Sequence, residues 1–165
     1  KMTTEDLPAF SGEYYQINEA INQPKPLQKP YPPLWVCGGG EKVTLKLLAK
    51  YGDYGNWDVD LEGFVKKSKI LKEHCENEGR DFDSVGKTLH TDVVIAKNDK
   101  ELRKLTTKIA EQRNEDLEKL LKRPLVGTVN QVNDMLGKFE EEGCVYLIAY
   151  ISDIVWGDTL ELLKN

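Results

Sequence analysis

Short apolar runs alternate along the chain with stretches in which apolar residues recur every three or four positions. The runs cover residues 34–37, 54–59, 89–96 and 145–151, and the last of them holds seven residues without a charge. Runs of this length that are apolar throughout, rather than at every second position, are typical of parallel strands covered on both faces. We therefore predict four strands, each buried on both faces.

Helices are predicted between these runs, where apolar residues follow the 3.6-residue period. The predicted helices cover 43–51, 61–79, a charged region over 102–121 with a break near Asn114, a segment from Thr128 to Gly143, and 159–163. Strands that alternate with helices predict an α/β fold, in which right-handed crossovers join the strands of a parallel sheet.

The first 33 residues have a different composition. The segment QPKPLQKPYPP holds five of the chain's seven prolines, and proline lacks an N–H and fixes φ. We predict that residues 1–33 form an extended, proline-rich arm and that residues 34–165 form the βα domain. A short hairpin is predicted around Gly12 by the apolar residues Phe10, Tyr14, Tyr15 and Ile17.

Composition and charge narrow the classes of partner. The 165 residues carry a net charge of −5 with both signs mixed, which argues against the clustered Lys and Arg of a nucleic-acid-binding surface. No apolar run approaches the roughly 20 residues of a membrane span, and no signal peptide is visible. Three widely spaced cysteines and two histidines predict neither a disulfide framework nor a metal site. We expect a cytoplasmic protein that binds neither nucleic acid nor membrane.

The stretch WVCGGGEKVTL places three glycines where a predicted strand meets a predicted helix. In parallel α/β proteins, ligands bind where strand carboxyl ends meet helix amino ends, and free N–H groups there attract anions. One interpretation is a phosphate-binding turn, in which Gly38, Gly39 and Gly40 supply N–H groups and Thr44 adds a hydroxyl. The other is a glycine-rich turn that only packs the helix closely on the strand. The pattern is neither a Walker loop nor GxGxxG.

The order of these features resembles the C-terminal half of the luciferase-like monooxygenases, in particular their coenzyme F420-dependent branch. Three stretches carry the resemblance: FSGEYYQINEAINQPKPLQKPYPPLWVCGGGEKVTLKLLAKYGDYGNW, ILKEHCENEGRD and VGTVNQVNDMLGKFEEEGCVYLIAY. The sequence departs from the family at Val129 and Asn130, where a proline and an acidic residue are common. The resemblance implies strands five to eight of a (β/α)8 barrel, which binds a flavin or deazaflavin at the carboxyl ends of its strands.

The resemblance also implies a cofactor and the residues that hold it. In the family, the turn after strand five helps to hold the cofactor phosphate, and by position this role falls on Gly38, Gly39 and Gly40, with Thr44 beside them. The implied cofactor is coenzyme F420, and FMN is the alternative. The implied activity is hydride transfer between the cofactor and an organic substrate, and an FMN-dependent monooxygenase is the alternative.

Two further residues are candidates for contact with the substrate. Asn56 lies at the end of the strand that resembles strand six, where it either faces a ligand or only bonds neighbouring strands. Trp57 follows it and either lines a ligand pocket or belongs to the core. His90 is a lone histidine, which is too little to identify an acid or base, so no catalytic residue is predicted.

The resemblance covers strands five to eight, whereas a complete barrel has eight strands and about 250 residues. We therefore expect a truncated barrel that is inactive alone. A half barrel has two open sheet edges, which invite pairing with another chain, so we expect a homodimer or higher oligomer. A non-catalytic, self-associating half barrel is the alternative to an oxidoreductase.

Overall fold

The computed structural model of the chain describes residues 1–164, which form two compact units. The first unit covers Lys1–Leu34 and the second begins at Trp35. In the first unit, β1 (Phe10–Ser11) and β2 (Gln16–Ile17) pair antiparallel and form the predicted hairpin. The Gly12 N–H closes its turn by donating to the Tyr15 carbonyl at 2.9 Å.

The second unit alternates strands and helices. Its elements are β3 (Trp35–Cys37), α1 (Thr44–Tyr51), β4 (Tyr54–Trp57), α2 (Leu61–Glu78), a 3-10 turn (Phe82–Ser84), β5 (Gly86–Ala96), α3 (Asp99–Arg113), α4 (Leu117–Leu121), β6 (Leu125–Thr128), α5 (Val129–Glu141), β7 (Cys144–Tyr150) and α6 (Thr159–Leu162). The predicted break near Asn114 is confirmed, because this residue ends α3 in the left-handed conformation. None of the helices within residues 1–164 is long and apolar enough to cross a membrane.

The sheet of the second unit is parallel throughout. The strand β3 pairs with β4, and β4 pairs with the first part of β5. Residues 87–89 of β5 pair with β4 and β7 at once, so these two strands lie on opposite edges of β5. The last four residues of β5 pair with β6. The predicted α/β fold with a parallel sheet is therefore confirmed.

The sheet has one strand more than the four that the apolar runs predict. The additional strand, β6, consists of Leu-Val-Gly-Thr and pairs with Val93–Ala96 of β5. It was not predicted because its glycine and its short length give no apolar run. The next residue already begins α5, and the Gln131 side chain accepts the Thr128 N–H at 2.8 Å.

The two faces of this sheet differ in what covers them. Side chains alternate along a strand, so the pairing register assigns each residue to one face. The helix-covered face carries Val36, Trp57, Leu89, Val93 and Leu147, which pack against Phe64, Leu71 and Phe139 of the helices. The open face carries Trp35, Cys37, Tyr54, Asn56, Thr88, His90, Asp92, Tyr146, Ile148 and Tyr150.

Burial on both faces is confirmed for most of β5 but is wrong for β3 and β7. No residue of these two strands is fully buried, and Tyr146 and Tyr150 remain 56% and 57% exposed. Their apolar composition is real, but no helix or strand of the described chain covers their open face. Aromatic contacts within the face only partly shield it: Trp35 stacks on Tyr54 at 4.6 Å between ring centroids.

Candidate functional site

The glycine turn follows β3 at the carboxyl edge of the sheet. Gly38 has a φ of 102°, which is a left-handed conformation that side chains other than glycine rarely adopt. Its N–H donates to the Asn56 carbonyl at 3.3 Å, so it extends the pairing of β3 with β4. The predicted anion-binding role therefore does not rest on the Gly38 N–H, which the sheet already uses.

The next two glycines lie in the turn between β3 and α1, and the sheet does not use their N–H groups. Within residues 1–164, neither the Gly39 N–H nor the Gly40 N–H donates to a protein acceptor. The cap residue of α1, Val43, supplies no side-chain hydrogen bond either. Backbone N–H groups without an acceptor can donate to an anion, and the positive end of the α1 dipole a few residues further on favours one.

Side chains crowd these glycines closely. A Cβ built on Gly40 would lie 2.7 Å from the Thr44 hydroxyl oxygen, and one built on Gly39 would collide with the Lys67 ammonium. A side chain on Gly40 would push against Thr44, and one on Gly39 would displace the flexible end of Lys67 from its present position. The structure places Gly39, Gly40 and Thr44 together, as the sequence predicts.

A lysine from α2 completes the surroundings of the turn. The Lys67 Nζ donates to the Gly39 carbonyl at 2.7 Å, and the neighbouring Lys66 bonds the Glu41 carboxylate at 2.7 Å. The Lys66 hydrogen bond and charge lower the pKa of Glu41. Sequence reasoning missed Lys67 because it lies 28 residues from Gly39 and only the packing of α1 on α2 brings it there.

Asn56 lies on the open face next to the turn. The Thr88 hydroxyl lies 2.9 Å from both the Gly55 carbonyl and the Asn56 Oδ1, and it can donate to one of them at a time. The Asn56 Nδ2 lies 4.0 Å from the Cys37 sulfur. The Asn56 side chain is thus held by its strand neighbours, which is the local role that the sequence left open, and its substrate-binding role stays a prediction.

Trp57 points to the opposite side of the sheet from Asn56. It is 1% exposed, and its ring meets the ring of Phe64 edge to face at 5.3 Å between centroids. The structure therefore places Trp57 in the helix-side core, away from the open face. A ligand on that face would not contact Trp57, so its burial does not support the predicted substrate role.

On the open face, β5 and β7 extend beyond the ends of β3 and β4. On this face the last paired residues of β3 and β4, Cys37 and Asn56, are level with Thr88. His90 and Asp92 continue from Thr88 toward the carboxyl edge. The His90 ring lies 4.8 Å from the Tyr150 ring of β7. The spacing of single residues in the sequence did not reveal this ring contact of His90 with Tyr150.

Two arginines tie the carboxyl ends of the strands together. Asp92 is nearly buried, and its two oxygens lie 2.8 Å from Arg113 and 3.5 Å from Arg123. Arg123 also bonds Asp58, which follows β4, and Arg113 bonds Ser152, which follows β7. Burial alone would lower the pKa of Arg123, but the nearby carboxylates outweigh it and raise that pKa. This network positions the ends of β4, β5 and β7.

Two of the three cysteine thiols are shielded from reaction by their burial. Burial raises the pKa of the Cys75 and Cys144 thiols, which favours their protonated, unreactive form. Cys37, Cys75 and Cys144 form no disulfide. In the part of the chain that the structure describes, no three His, Cys, Asp or Glu side chains group in a way that could hold a metal ion.

The parallel sheet and the helices that connect its strands place the chain among the α/β proteins. Within this class the chain belongs to the luciferase-like monooxygenase family, whose model matches residues 1–146. A search of curated proteins finds no match. Family membership confirms the resemblance on which the cofactor expectation rests.

Solved structures of similar fold include F420-dependent enzymes and a riboflavin lyase. An F420-dependent secondary alcohol dehydrogenase in complex with an F420-acetone adduct has a TM-score of 0.75 and 16% identity, over 99% of this chain and 56% of that one. A riboflavin lyase with modified FMN has a TM-score of 0.72 and 15% identity, over 95% of this chain and 46% of that one. The F420-dependent tetrahydromethanopterin reductase from Methanopyrus kandleri has a TM-score of 0.66 and 14% identity, over 93% of this chain and 54% of that one.

These likenesses establish the fold. The chain spans about half the length of the structures it matches. Its parallel βα units correspond to the C-terminal half of a (β/α)8 barrel, as the sequence predicts.

Proposed function

We propose that the turn at residues 38–40 holds the phosphate of a deazaflavin or flavin cofactor, and that the chain serves an oxidoreductase that uses it. Coenzyme F420 is the proposed cofactor and FMN is the alternative. The observation that carries the proposal is the pair of N–H groups of Gly39 and Gly40, in the turn before α1, that donate to no acceptor within residues 1–164. Family membership and the F420-dependent structural neighbours support it.

The donors around the turn suit a phosphate. A phosphate oxygen accepts hydrogen bonds, and the turn offers the N–H groups of Gly39 and Gly40, the Thr44 hydroxyl and the Lys67 ammonium. The Lys67 ammonium donates to the Gly39 carbonyl in this structure. On binding, it would donate to a charged phosphate oxygen in place of this neutral carbonyl. Charge-assisted hydrogen bonds of this kind are about twice as strong as neutral ones.

The bound cofactor would supply the hydride chemistry, which no side chain of this protein provides. The chain's own residues would anchor and orient it. The turn would fix one end at the carboxyl edge of the sheet, and the open face beside it would receive the rest of the site. Asn56, His90 and Tyr150 lie on that face and are the proposed contacts of a small organic substrate.

Matched lysine variants test the anchor. We expect Lys67→Met to weaken binding of F420, followed by its fluorescence, by about 10-fold or more, because a hydrogen bond to a charged group contributes about 1.5–3 kcal/mol. Lys66→Met is the control, since Lys66 lies next in sequence but bonds Glu41. The same titrations with FMN identify the cofactor.

Either of two results would overturn the proposal. One is that neither F420 nor FMN binds the folded chain. The other is that binding occurs but Lys67→Met and Lys66→Met weaken it equally, which would place the cofactor away from the turn.

A further inference from the structure

Three side chains of α2 reach the segment that joins β3 to α1. The Lys67 Nζ donates to the Gly39 carbonyl at 2.7 Å, and Lys66 bonds the Glu41 carboxylate. The third is His74, whose ring Nε2 lies 2.8 Å from the Glu41 carbonyl oxygen. A carbonyl oxygen only accepts hydrogen bonds, so the His74 Nε2 carries a proton and donates it. Helix α2 therefore holds Glu41 by its backbone as well as by its side chain.

These contacts fix the direction of two peptide groups. Both peptide bonds are trans, and in a planar trans peptide the C=O of one residue and the N–H of the next point in opposite directions. The carbonyls of Gly39 and Glu41 point toward α2. The N–H groups of Gly40 and Lys42 therefore both point away from α2. Within residues 1–164 the Lys42 N–H, like that of Gly40, donates to no protein acceptor.

The His74 contact is suited to hold the segment while a ligand binds. Lys67 would leave the Gly39 carbonyl for the phosphate, so its hold on the backbone would end on binding. His74 follows Lys67 by two helical turns and lies on the same face of α2. Its side chain is half-buried and has two rotatable bonds, so it loses less conformational freedom in one position than a lysine does. The Glu41 carbonyl is thus the backbone contact that persists.

We propose that His74 is a positioning residue of the turn and that the Lys42 N–H is a further donor to the phosphate. This inference rests on the proposed function of the turn. His74 acts through the Glu41 carbonyl: it keeps the Glu41–Lys42 peptide in the orientation in which the Lys42 N–H points away from α2, as the Gly40 N–H does. Without this hydrogen bond the peptide is free to turn, and one donor is lost.

Two variants of His74 separate its hydrogen bond from its packing. Titrations with F420 and with FMN, followed by fluorescence, measure their affinities. His74→Leu keeps an apolar side chain but removes the donor, and we expect its affinity to fall by about 10-fold or more. His74→Gln restores a side-chain N–H donor, and we expect an affinity within about 3-fold of the wild-type chain. A side chain that only packs would give the reverse order.

Arg80 offers a matched control at the other end of α1. Its guanidinium donates to the Leu48 and Ala49 carbonyls at 3.4 Å and 3.2 Å. Arg80→Met therefore also removes a side-chain contact with the backbone of α1, but far from the turn. We expect this variant to lower the thermal stability and to leave the affinity for the cofactor unchanged. An equal loss of affinity in Arg80→Met and His74→Leu would overturn the positioning role.

NMR of the imidazole nitrogens gives a readout that needs neither a variant nor a cofactor. In the free chain, the His74 Nε2 should carry a proton. A proton on Nδ1 alone would overturn the role of His74, as would wild-type affinity in His74→Leu or equal weakening by His74→Leu and His74→Gln. Each of these results leaves the proposed cofactor site in place. A wild-type chain that binds neither F420 nor FMN would instead overturn the proposed function, and this inference with it.

Discussion

The two faces of the sheet are built from the same strands but meet different surroundings. On one face, Trp57 and Leu89 are buried against α2 and α5. On the other, Tyr146 and Tyr150 of equally apolar strands stay more than half exposed. The difference shows that an apolar strand is not buried by its composition alone. Its side chains are buried only where neighbouring elements pack against them. Within residues 1–164, the open face of β3 and β7 is therefore the part of the sheet whose apolar side chains stay exposed.

Truncating a core ring should give the largest stability difference between the faces. Phe64 is fully buried and meets the rings of Trp57 and Phe139 at 5.3 Å and 5.4 Å. Phe64→Ala should lower the free energy of unfolding by about 3–5 kcal/mol, since it removes apolar contacts and leaves a cavity. Urea unfolding at a fixed, low protein concentration measures it.

Tyr146→Ala on the open face is the matched variant. It should cost less than about 1 kcal/mol under the same conditions, because Tyr146 is already 56% exposed. Equal losses from the two variants would mean that both faces are covered in solution.

Thiol labelling compares the two faces without a mutation. Cys37 lies exposed on the open face, whereas Cys75 is buried among the helices, and burial raises the pKa of the Cys75 thiol. We expect iodoacetamide to modify Cys37 at least about 100-fold faster than Cys75, which must wait for unfolding. Mass spectrometry of peptides over time follows both sites. Similar rates would show that the helix-covered core is not closed.

Neutralising Asp92 should have an intermediate effect. Asp92→Asn leaves Arg113 and Arg123 without their shared carboxylate, and we expect a loss of about 1–3 kcal/mol, reduced from a fully buried pair because both arginines are about 30% exposed. Asp58→Asn is the control: Asp58 bonds the same Arg123 but is 51% exposed. Chemical unfolding measures the free energy of unfolding of both variants. A smaller loss of this free energy for Asp92→Asn than for Asp58→Asn would contradict the positioning role of the network.

The smallest effect is expected at the solvent-exposed pair of Glu41 and Lys66. The Lys66 hydrogen bond lowers the pKa of Glu41 from its ordinary 4.5. Because the folded-state pKa is the lower one, the pair stabilises the fold above the unfolded-state pKa, and this is lost as the pH falls through the folded-state pKa. An NMR titration should show the Glu41 pKa rising in Lys66→Met and unchanged in Lys69→Met. The same shift in both variants would contradict a specific pair.

Local patterns in the sequence predicted much of the fold and part of the site. The run before the glycines predicted β3, and the glycines predicted a turn that approaches Thr44. Asn114 as a helix end was likewise readable from the sequence. These features depend on residues that are close together along the chain.

The features that the sequence did not predict depend on contacts between distant parts of the chain. The strand β6 has no apolar run of its own and exists because β5 offers it an edge. Lys67 reaches the turn only through helix packing, and Asp92 meets its arginines only after the strands align. The exposure of β3 and β7 could not be read from their composition, which is apolar as in a covered strand.

The central claim is that the turn at residues 38–40 binds a cofactor phosphate. Its most direct test is a titration of Gly39→Asp with F420 and FMN, beside Gly137→Asp, which adds the same charge to α5 where a Cβ meets open space. We expect the wild-type chain and Gly137→Asp to bind one cofactor alike, and Gly39→Asp to lose at least about 100-fold in affinity through repulsion of the phosphate. Equal binding by the two variants would contradict the claim.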